Sequence, residues 1–306
     1  MDYKKLIKKR ETRERILRLF SFIPDTPMLM LQYWIKTGRR LNLKHPKRFT
    51  EKLQWYKLYY YNPLMAKCVD KYDVREYVIS KGLERILIPC YGVFDLAGQI
   101  DWEALPEQFV MKDTLGGGGN AVIVIKDKSS ADLKALTAVA EKWTAIDAKK
   151  KNSGREWPYY SGKNHRIIIE KNMATEKDEL NDYKFFCFNG RAEFLYVTGN
   201  RIPGQAVSIG IYDRDLMKLP VRRVGDQDYN LTEKPENYSE MLEVAEKLAE
   251  GFPHVRVDLY NVRGKVFFGE LTFYNASGYM VFDPDEFDTQ TGALFLLPER
   301  CHKNSK

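Results

Sequence analysis

An α+β fold is predicted by three features of the sequence. Residues 109–127, 182–200 and 255–274 each hold two β-branched or aromatic runs about a glycine-bearing turn. Helical periodicity is confined to separate stretches, "SADLKALTAVAEKWTAI" and "YSEMLEVAEKLAEGF". Residues 1–62 read as helical and basic.

Taken in order, the helical pattern of residues 1–62 is expected to break at Pro24, Pro27 and Pro46. "FTEKLQWYKLYYY" starts a helix with Thr50 as N-cap. "PLMAKCVDKYDVREYVISKG" reads as one helix opened by Pro63 and closed by Gly82, burying Val69, Val74, Tyr77 and Val78. "ILIPCYGVF" is a short interrupted strand, and "HRIIIEKNM" is another. "QFVMKD" and "NAVIVIKD" are strands joined by glycines, while Asn189-Gly190 and Arg263-Gly264 are hairpin turns. Three units are expected: a basic helical segment over 1–62, a unit over 63–164 with the glycine-rich loop, and a unit over 165–306.

Residues 1–48 hold 14 Lys/Arg against 4 Asp/Glu, a surplus of 10, whereas the whole chain carries +7. The remainder therefore sums to −3, and the basic character belongs to the N-terminal segment. No zinc-finger spacing or basic-aromatic ladder accompanies it, so no nucleic acid is expected. "YKKLIKKRETRERILRLFSFI" sets Leu6, Ile16, Leu17, Leu19 and Phe20 among cations. Residues 1–20 then either lie on an anionic membrane or form a solvated helix packing its leucines on the body. No apolar run reaches about 18 residues, and the N-terminus lacks the apolar centre of a signal peptide. Cys68, Cys90, Cys187 and Cys301 are scattered without metal-ligand spacing. A cytoplasmic protein is expected, at most at the inner face of the membrane.

Four consecutive glycines, Gly116 to Gly119, follow Lys112 between two apolar runs. Such a turn lets backbone N–H groups approach phosphate oxygens. A P-loop requires Gly-Lys-Ser/Thr, but Asn120 follows Gly119. Gly116, Gly118 and Ala121 fit the dinucleotide fingerprint by letter, yet a strand and not a helix follows. A glycine hairpin folded over phosphates, or an empty hairpin tip, remains. Downstream, Asp258 and Glu270 are expected to meet across the hairpin about Arg263-Gly264, with Arg256 on the face of Asp258. Two carboxylates on an apolar hairpin call for a cation: Mg²⁺ shared with phosphates, or a salt bridge to Arg256.

The ordered set Asp70-Lys71, Lys112 with Gly116–Gly119, Glu170-Lys171-Asn172-Met173, Arg256-x-Asp258 and Glu270 resembles the ATP-grasp superfamily. It is most similar to the teichuronopeptide-biosynthesis, TupA-like branch. "FTEKLQWYKLY", "VDKYDVREYV", "GREWPYY", "DYKFFCFNG", "GFPHVRVDLYN" and "GELTFYNASG" carry the likeness over residues 49–278. The resemblance implies two α+β subdomains sandwiching ATP, behind a basic helical extension. It implies Lys71 and Lys112 at the ATP phosphates and Gly116, Gly117, Gly118 and Gly119 as the loop over them. Glu170, Lys171, Asn172 and Met173 would read adenine, and Asp182 the ribose. Arg256 would approach the reacting carbonyl, with Asp258 and Glu270 as Mg²⁺ ligands. The usual third ligand, an asparagine two residues after the glutamate, is here Thr272, so Asn275 or water is implied instead. Lys184, Arg201 and Arg155 are phosphate or acceptor contacts, or structural salt bridges.

The chemistry so implied is ATP- and Mg-dependent joining of a carboxylate to an amine through an acyl phosphate. On the branch resemblance, an amino acid is joined to a sugar acid in surface-polysaccharide biosynthesis, with a glycan or nucleotide-sugar acceptor as a further partner. A kinase of a sugar or glycan hydroxyl would use the same ATP site. A glycosyltransferase would use an Asp-x-Asp, offered by Asp213-Arg-Asp215 and Asp283-Pro-Asp285. The four histidines form no cluster, and His165 and His254 read as packing or surface residues.

Overall fold

The computed structural model describes residues 20, 22–117, 121–173, 181–199 and 208–301. Helix α1 (Asp25–Thr37) starts after Pro24 and stops at Gly38, where φ is +74°. The break expected at Pro27 does not occur. Pro27 lies in the first turn of α1, where its missing N–H would have had no partner within the helix. Helix α2 (Phe49–Tyr59) is not capped by Thr50. Arg48 precedes its first residue, and Glu51 accepts the N–H groups of Lys47 (2.9 Å) and Arg48 (3.1 Å). Thr50 instead donates its N–H and hydroxyl to the buried carboxylate of Asp288, at 3.0 and 2.7 Å.

The single helix expected between Pro63 and Gly82 is two: α3 (Pro63–Cys68) and α4 (Val74–Ser80). Asp70 breaks it by accepting the N–H groups of Tyr72 and Asp73, both at 2.9 Å. The break frees the N–H of Lys71 to donate to Thr114 at 2.9 Å. Gly82 ends α4 with φ +67°, as expected.

Strands β1 (Cys90–Phe94), β2 (Phe109–Asp113), β3 (Val122–Ile125) and β4 (Ile167–Lys171) form an antiparallel sheet in the order β1-β4-β2-β3. β4 lies beyond position 164, within the third expected unit, and completes this first sheet. Helix α5 (Leu133–Thr144), capped by Asp132, covers a core of Phe109, Met111, Ile125, Ile167 and Ile169.

The second sheet runs β11-β10-β5-β6-β7-β9. It comprises β5 (Asp182–Phe188), β6 (Arg191–Gly199), β7 (Ser208–Asp213), β9 (Gln227–Asp228), β10 (His254–Val262) and β11 (Lys265–Thr272). β8 (Arg222–Arg223) pairs apart from it with β12 (Phe282–Asp283). Both expected hairpin turns form, with φ +50° and +82° at Asn189-Gly190 and +51° and +73° at Arg263-Gly264.

Strand alternation gives this sheet two unlike faces. Helix α6 (Tyr238–Ala249) packs on the apolar one, which bears Phe185, Cys187, Val255, Val257 and Leu259. On the other face, α2 and α7 (Glu286–Leu294) cover one end. There Phe49 meets Phe186, Phe188 and His254 at ring distances of 6.2, 5.6 and 5.0 Å. Further along, the same face turns polar, and the candidate site begins there. Among the described residues no helix is long and apolar enough to cross a membrane.

Candidate active site

The polar face depends on a β-bulge. β10 and β11 pair Leu259 with Phe268 but Asp258 with Glu270, so Gly269 is the extra residue. Even separation about a two-residue turn would not have joined the two carboxylates. An unbroken ladder sets Asp258 against Gly269 and sends Glu270 opposite Val257, onto the apolar face under α6. The bulge shifts the register by one and brings Glu270 and Thr272 to the face of Asp258 and Arg256. The crossing is close: a Cβ at position 269 would lie 3.0 Å from the Asp258 carbonyl oxygen and 3.2 Å from the Tyr260 ring.

Arg256 organises that face. Its Nε and Nη2 donate to the two oxygens of Asp258, both at 2.7 Å. Nη2 also reaches Glu270 at 3.1 Å and Thr272 at 3.0 Å, and Nη1 donates to Asn275. Lys184, opposite Asp258 in the ladder, bridges Asp182 and Asp258 at 2.5 Å each. Burial works to raise Glu270, yet Arg256, Lys184 and Lys71 hold its carboxyl down at about 2. Glu270 is thus a fixed anion at neutral pH. Its side chain is 44% exposed, whereas Asp258 is buried.

Two lysines lie by the glycine loop: Lys71, in the break between α3 and α4, and Lys112, on β2. Lys71 donates its ammonium to the carbonyl of Gly116, at the root of the glycine loop. Burial lowers its pKa, Glu270 and Asp113 counter that, and Lys112 adds repulsion. The charge of Glu270, on the second sheet, thus acts on Lys71. Lys112, on β2, pairs with buried Glu170 of β4 at 2.7 Å, and Arg75 approaches the same carboxylate at 3.5 Å. Lys171 is exposed and donates its N–H to Pro89 at 2.9 Å, while Asn172 and Met173 are half-buried. His165 is neither a packing nor a surface residue alone, since it pairs with buried Asp113 at 2.8 Å below the loop.

The glycines differ in role. A Cβ at Gly116 would lie 2.1 Å from that of Ala121, so the neck of the hairpin closes only on glycine there. Gly117 has open space about it. Gly118, Gly119 and Arg201 lie outside the described residues, as do residues 1–19.

Arg155 is a salt bridge. Buried, it holds Asp25 at 3.0 Å and the Phe20 carbonyl at 2.9 Å, fixing the start of α1. Asp213 accepts the N–H groups of Asp215 (3.0 Å) and Met217 (2.8 Å), and Asp285 pairs with Arg48 at 2.8 Å. Both Asp-x-Asp matches are thereby occupied structurally. Tyr159 was not foreseen. Its half-buried phenol is pushed up by burial and by Glu156 and Glu270, with Arg256 and Asp258 also in range. The only sequence signal was an aromatic pair in "GREWPYY".

Asp258, Glu270 and Asn275 offer only oxygen donors, which fits the chemistry of Mg²⁺. Arg256 holds Asp258 bidentately, so Glu270, with its side chain 44% exposed, is the more accessible carboxylate. Among the described residues, no three His, Cys, Asp or Glu side chains cluster as a metal centre.

The sequence profile of a family described as TupA-like ATPgrasp matches residues 51–296. No curated protein matches the sequence. Among solved structures, the chain is similar to the D-alanine–D-alanine ligase of Helicobacter pylori, at 16% identity over 75% of this chain and 61% of that one (TM-score 0.42). It is also similar to an ADP complex of purK, an N5-carboxyaminoimidazole ribonucleotide synthetase, at 16% identity over 72% and 49% (TM-score 0.43). The Staphylococcus aureus N5-carboxyaminoimidazole synthetase with ADP shares 14% identity over 76% and 53% (TM-score 0.40). The chain spans roughly half to three-fifths of the length of these proteins.

Proposed function

The chain belongs to the TupA-like ATP-grasp family, and from that premise we propose that it binds ATP with Mg²⁺ between its two sheets and joins a carboxylate to an amine. The observation that carries this reading is the Lys71 ammonium donating to the Gly116 carbonyl at the root of the glycine loop, in a chain whose second sheet sets Asp258 and Glu270 side by side.

Lys71, Lys112 and the N–H groups of the glycine loop hold the phosphates in this proposal. Glu170, Lys171, Asn172 and Met173 border adenine, and Asp182 the ribose. Mg²⁺, held by Glu270 with Asp258 and Asn275, would neutralise charge on the transferring phosphoryl group. Arg256, and Lys184 beside it, orient the carboxylate that accepts that group. An amine then displaces phosphate from the acyl phosphate, leaving an amide, ADP and phosphate. A kinase of a sugar or glycan hydroxyl would use the same ATP site. The ligase reading is taken first on the family match, with an amino acid and a sugar acid of a surface polysaccharide as the substrates first to be tried.

Two measurements test it. Mg-ATP is expected to raise the melting temperature, while a UDP-sugar does not. ADP release is expected to require both a carboxylate and an amine from a panel of amino acids and uronic acids. Stabilisation by the UDP-sugar alone would support a glycosyltransferase, and ADP release with a neutral sugar alone would support a kinase.

A further inference from the structure

Helix α1 carries apolar side chains on two opposite faces. Its inner face buries Met28, Leu29 and Tyr33, and is fixed to the body by polar contacts. The Tyr33 hydroxyl lies 2.8 Å from Thr50, Gln32 donates to the Ser153 carbonyl at 3.0 Å, and Asp25 holds Arg155 and Lys151 at 3.0 and 2.7 Å. The opposite face carries Pro27, Met30, Leu31, Trp34 and Ile35 at spacings of three and four. All are exposed, Trp34 at 58%, Leu31 at 48% and Met30 at 47%, and Phe22 stands beyond the helix start at 79%. A globular protein normally gives the outer face of a surface helix to polar side chains.

Charge identifies the occupant. Residues 22–48 hold six Lys/Arg against one acid, Asp25. Arg39 and Arg48 are engaged by Asp285, and Lys36 lies over the Tyr279 ring at 4.0 Å, whereas Arg40, Lys44 and Lys47 are exposed. The 19 residues that lead into Phe20 add eight Lys/Arg against three acids. An apolar stripe containing a tryptophan and flanked on both sides by cations fits an anionic lipid surface: the side chains enter the acyl boundary and the cations meet the headgroups. A second copy of this chain would bring the same positive charge against itself, which disfavours a dimer through this face.

We propose that the outer stripe of α1, Phe22, Met30, Leu31, Trp34 and Ile35, seats this protein on an anionic membrane surface. The inference is independent of the ATP site, and its test does not use turnover. The full chain is sedimented with vesicles of phosphatidylglycerol and phosphatidylcholine, and separately with phosphatidylcholine alone. Binding to the anionic vesicles is expected, weakened by salt and accompanied by a blue shift of tryptophan emission. The double variant Leu31→Glu, Trp34→Glu should lose at least about tenfold in partitioning, with an unchanged melting temperature because both positions are exposed. Arg40→Glu with Lys44→Glu leaves the stripe intact and should weaken binding to anionic vesicles only. Removal of residues 1–19 should weaken binding without abolishing it. Equal binding to both vesicle types, full retention in the Leu31/Trp34 variant, or complete loss on removing residues 1–19 would overturn the proposal. So would a dimer in sedimentation velocity that the same double variant dissociates.

Discussion

Glu270→Gln separates the proposed chemistry from the fold. Glu270 accepts from Arg256 at 3.1 Å and from Thr272 at 3.2 Å, and the amide oxygen of glutamine can accept both. What is lost is a charge on a side chain 44% exposed. An ion pair so open to water contributes about 0.2–1 kcal/mol. For a chain of this size the melting temperature should fall by no more than about 2–4 °C. The functional cost is expected to be of another order, because the removed charge is the one we propose as the main oxygen ligand for Mg²⁺. Loss of one main electrostatic contact in the transition state costs about 10²–10³ in rate, roughly 3–4 kcal/mol. Coupled ADP release at saturating ATP, with Mg²⁺ varied, measures it. A raised Mg²⁺ requirement should accompany the fall in rate. Asn275→Ala beside it separates the amide's contribution. Near-wild-type turnover with unchanged Mg²⁺ dependence would refute the assignment of Glu270 as a metal ligand.

Three further outcomes follow from the geometry. Gly269→Ala places a methyl 3.0 Å from the Asp258 carbonyl oxygen and should cost about 1–3 kcal/mol in denaturant unfolding, with a larger proportional loss of ADP release than Glu270-distant core variants of equal stability. Buried His254 is lowered from 6.5 to about 3 by burial, so below 6.5 the unfolded chain takes up a proton that the folded chain refuses. Stability should therefore fall as pH drops from 6.5 toward 3, by up to about 1.4 kcal/mol per pH unit from this group. His254→Phe should remove that share of the slope, while costing about 1 kcal/mol at neutral pH for its 2.9 Å bond to the Cys187 carbonyl. An identical acid slope in the variant would contradict the assignment. Glu270 acts in the next window: its charge stabilises above 4.5 and that contribution is lost as pH falls toward 2, which Glu270→Gln should abolish.

The hairpins were legible because their signals are local: period-two alternation and a residue pair that tolerates positive φ. The glycine loop was legible for the same reason, and Lys112 with it. The features that position the site were not local. Asp70 splits the expected helix by accepting the Tyr72 and Asp73 N–H groups, and the freed Lys71 N–H finds its partner in Thr114, distant in sequence. The bulge at Gly269 reads as one more strand residue until the register is known, although a glycine inside a strand is a general bulge signal. Pro27 misled because a proline is harmless in a first turn, and the turn could not be located without the start of α1. Strand β7 and helix α7 were missed, α7 because its buried residues Phe287, Asp288 and Thr291 include polar ones that face α2.

Calorimetric titration of Mg-ATP into the full chain and into Lys112→Met tests the central claim most directly. Lys112 lies on the face of the first sheet opposite Met111 and helix α5, 2.7 Å from Glu170. A lost charge-assisted contact to phosphate is worth about 1.5–3 kcal/mol, or roughly tenfold to a hundredfold in affinity. One ATP per chain should bind the native protein, and the folded variant should bind it weaker by that factor. Absence of ATP binding to the native chain, or equal affinity in the variant, would contradict an ATP site between the two sheets.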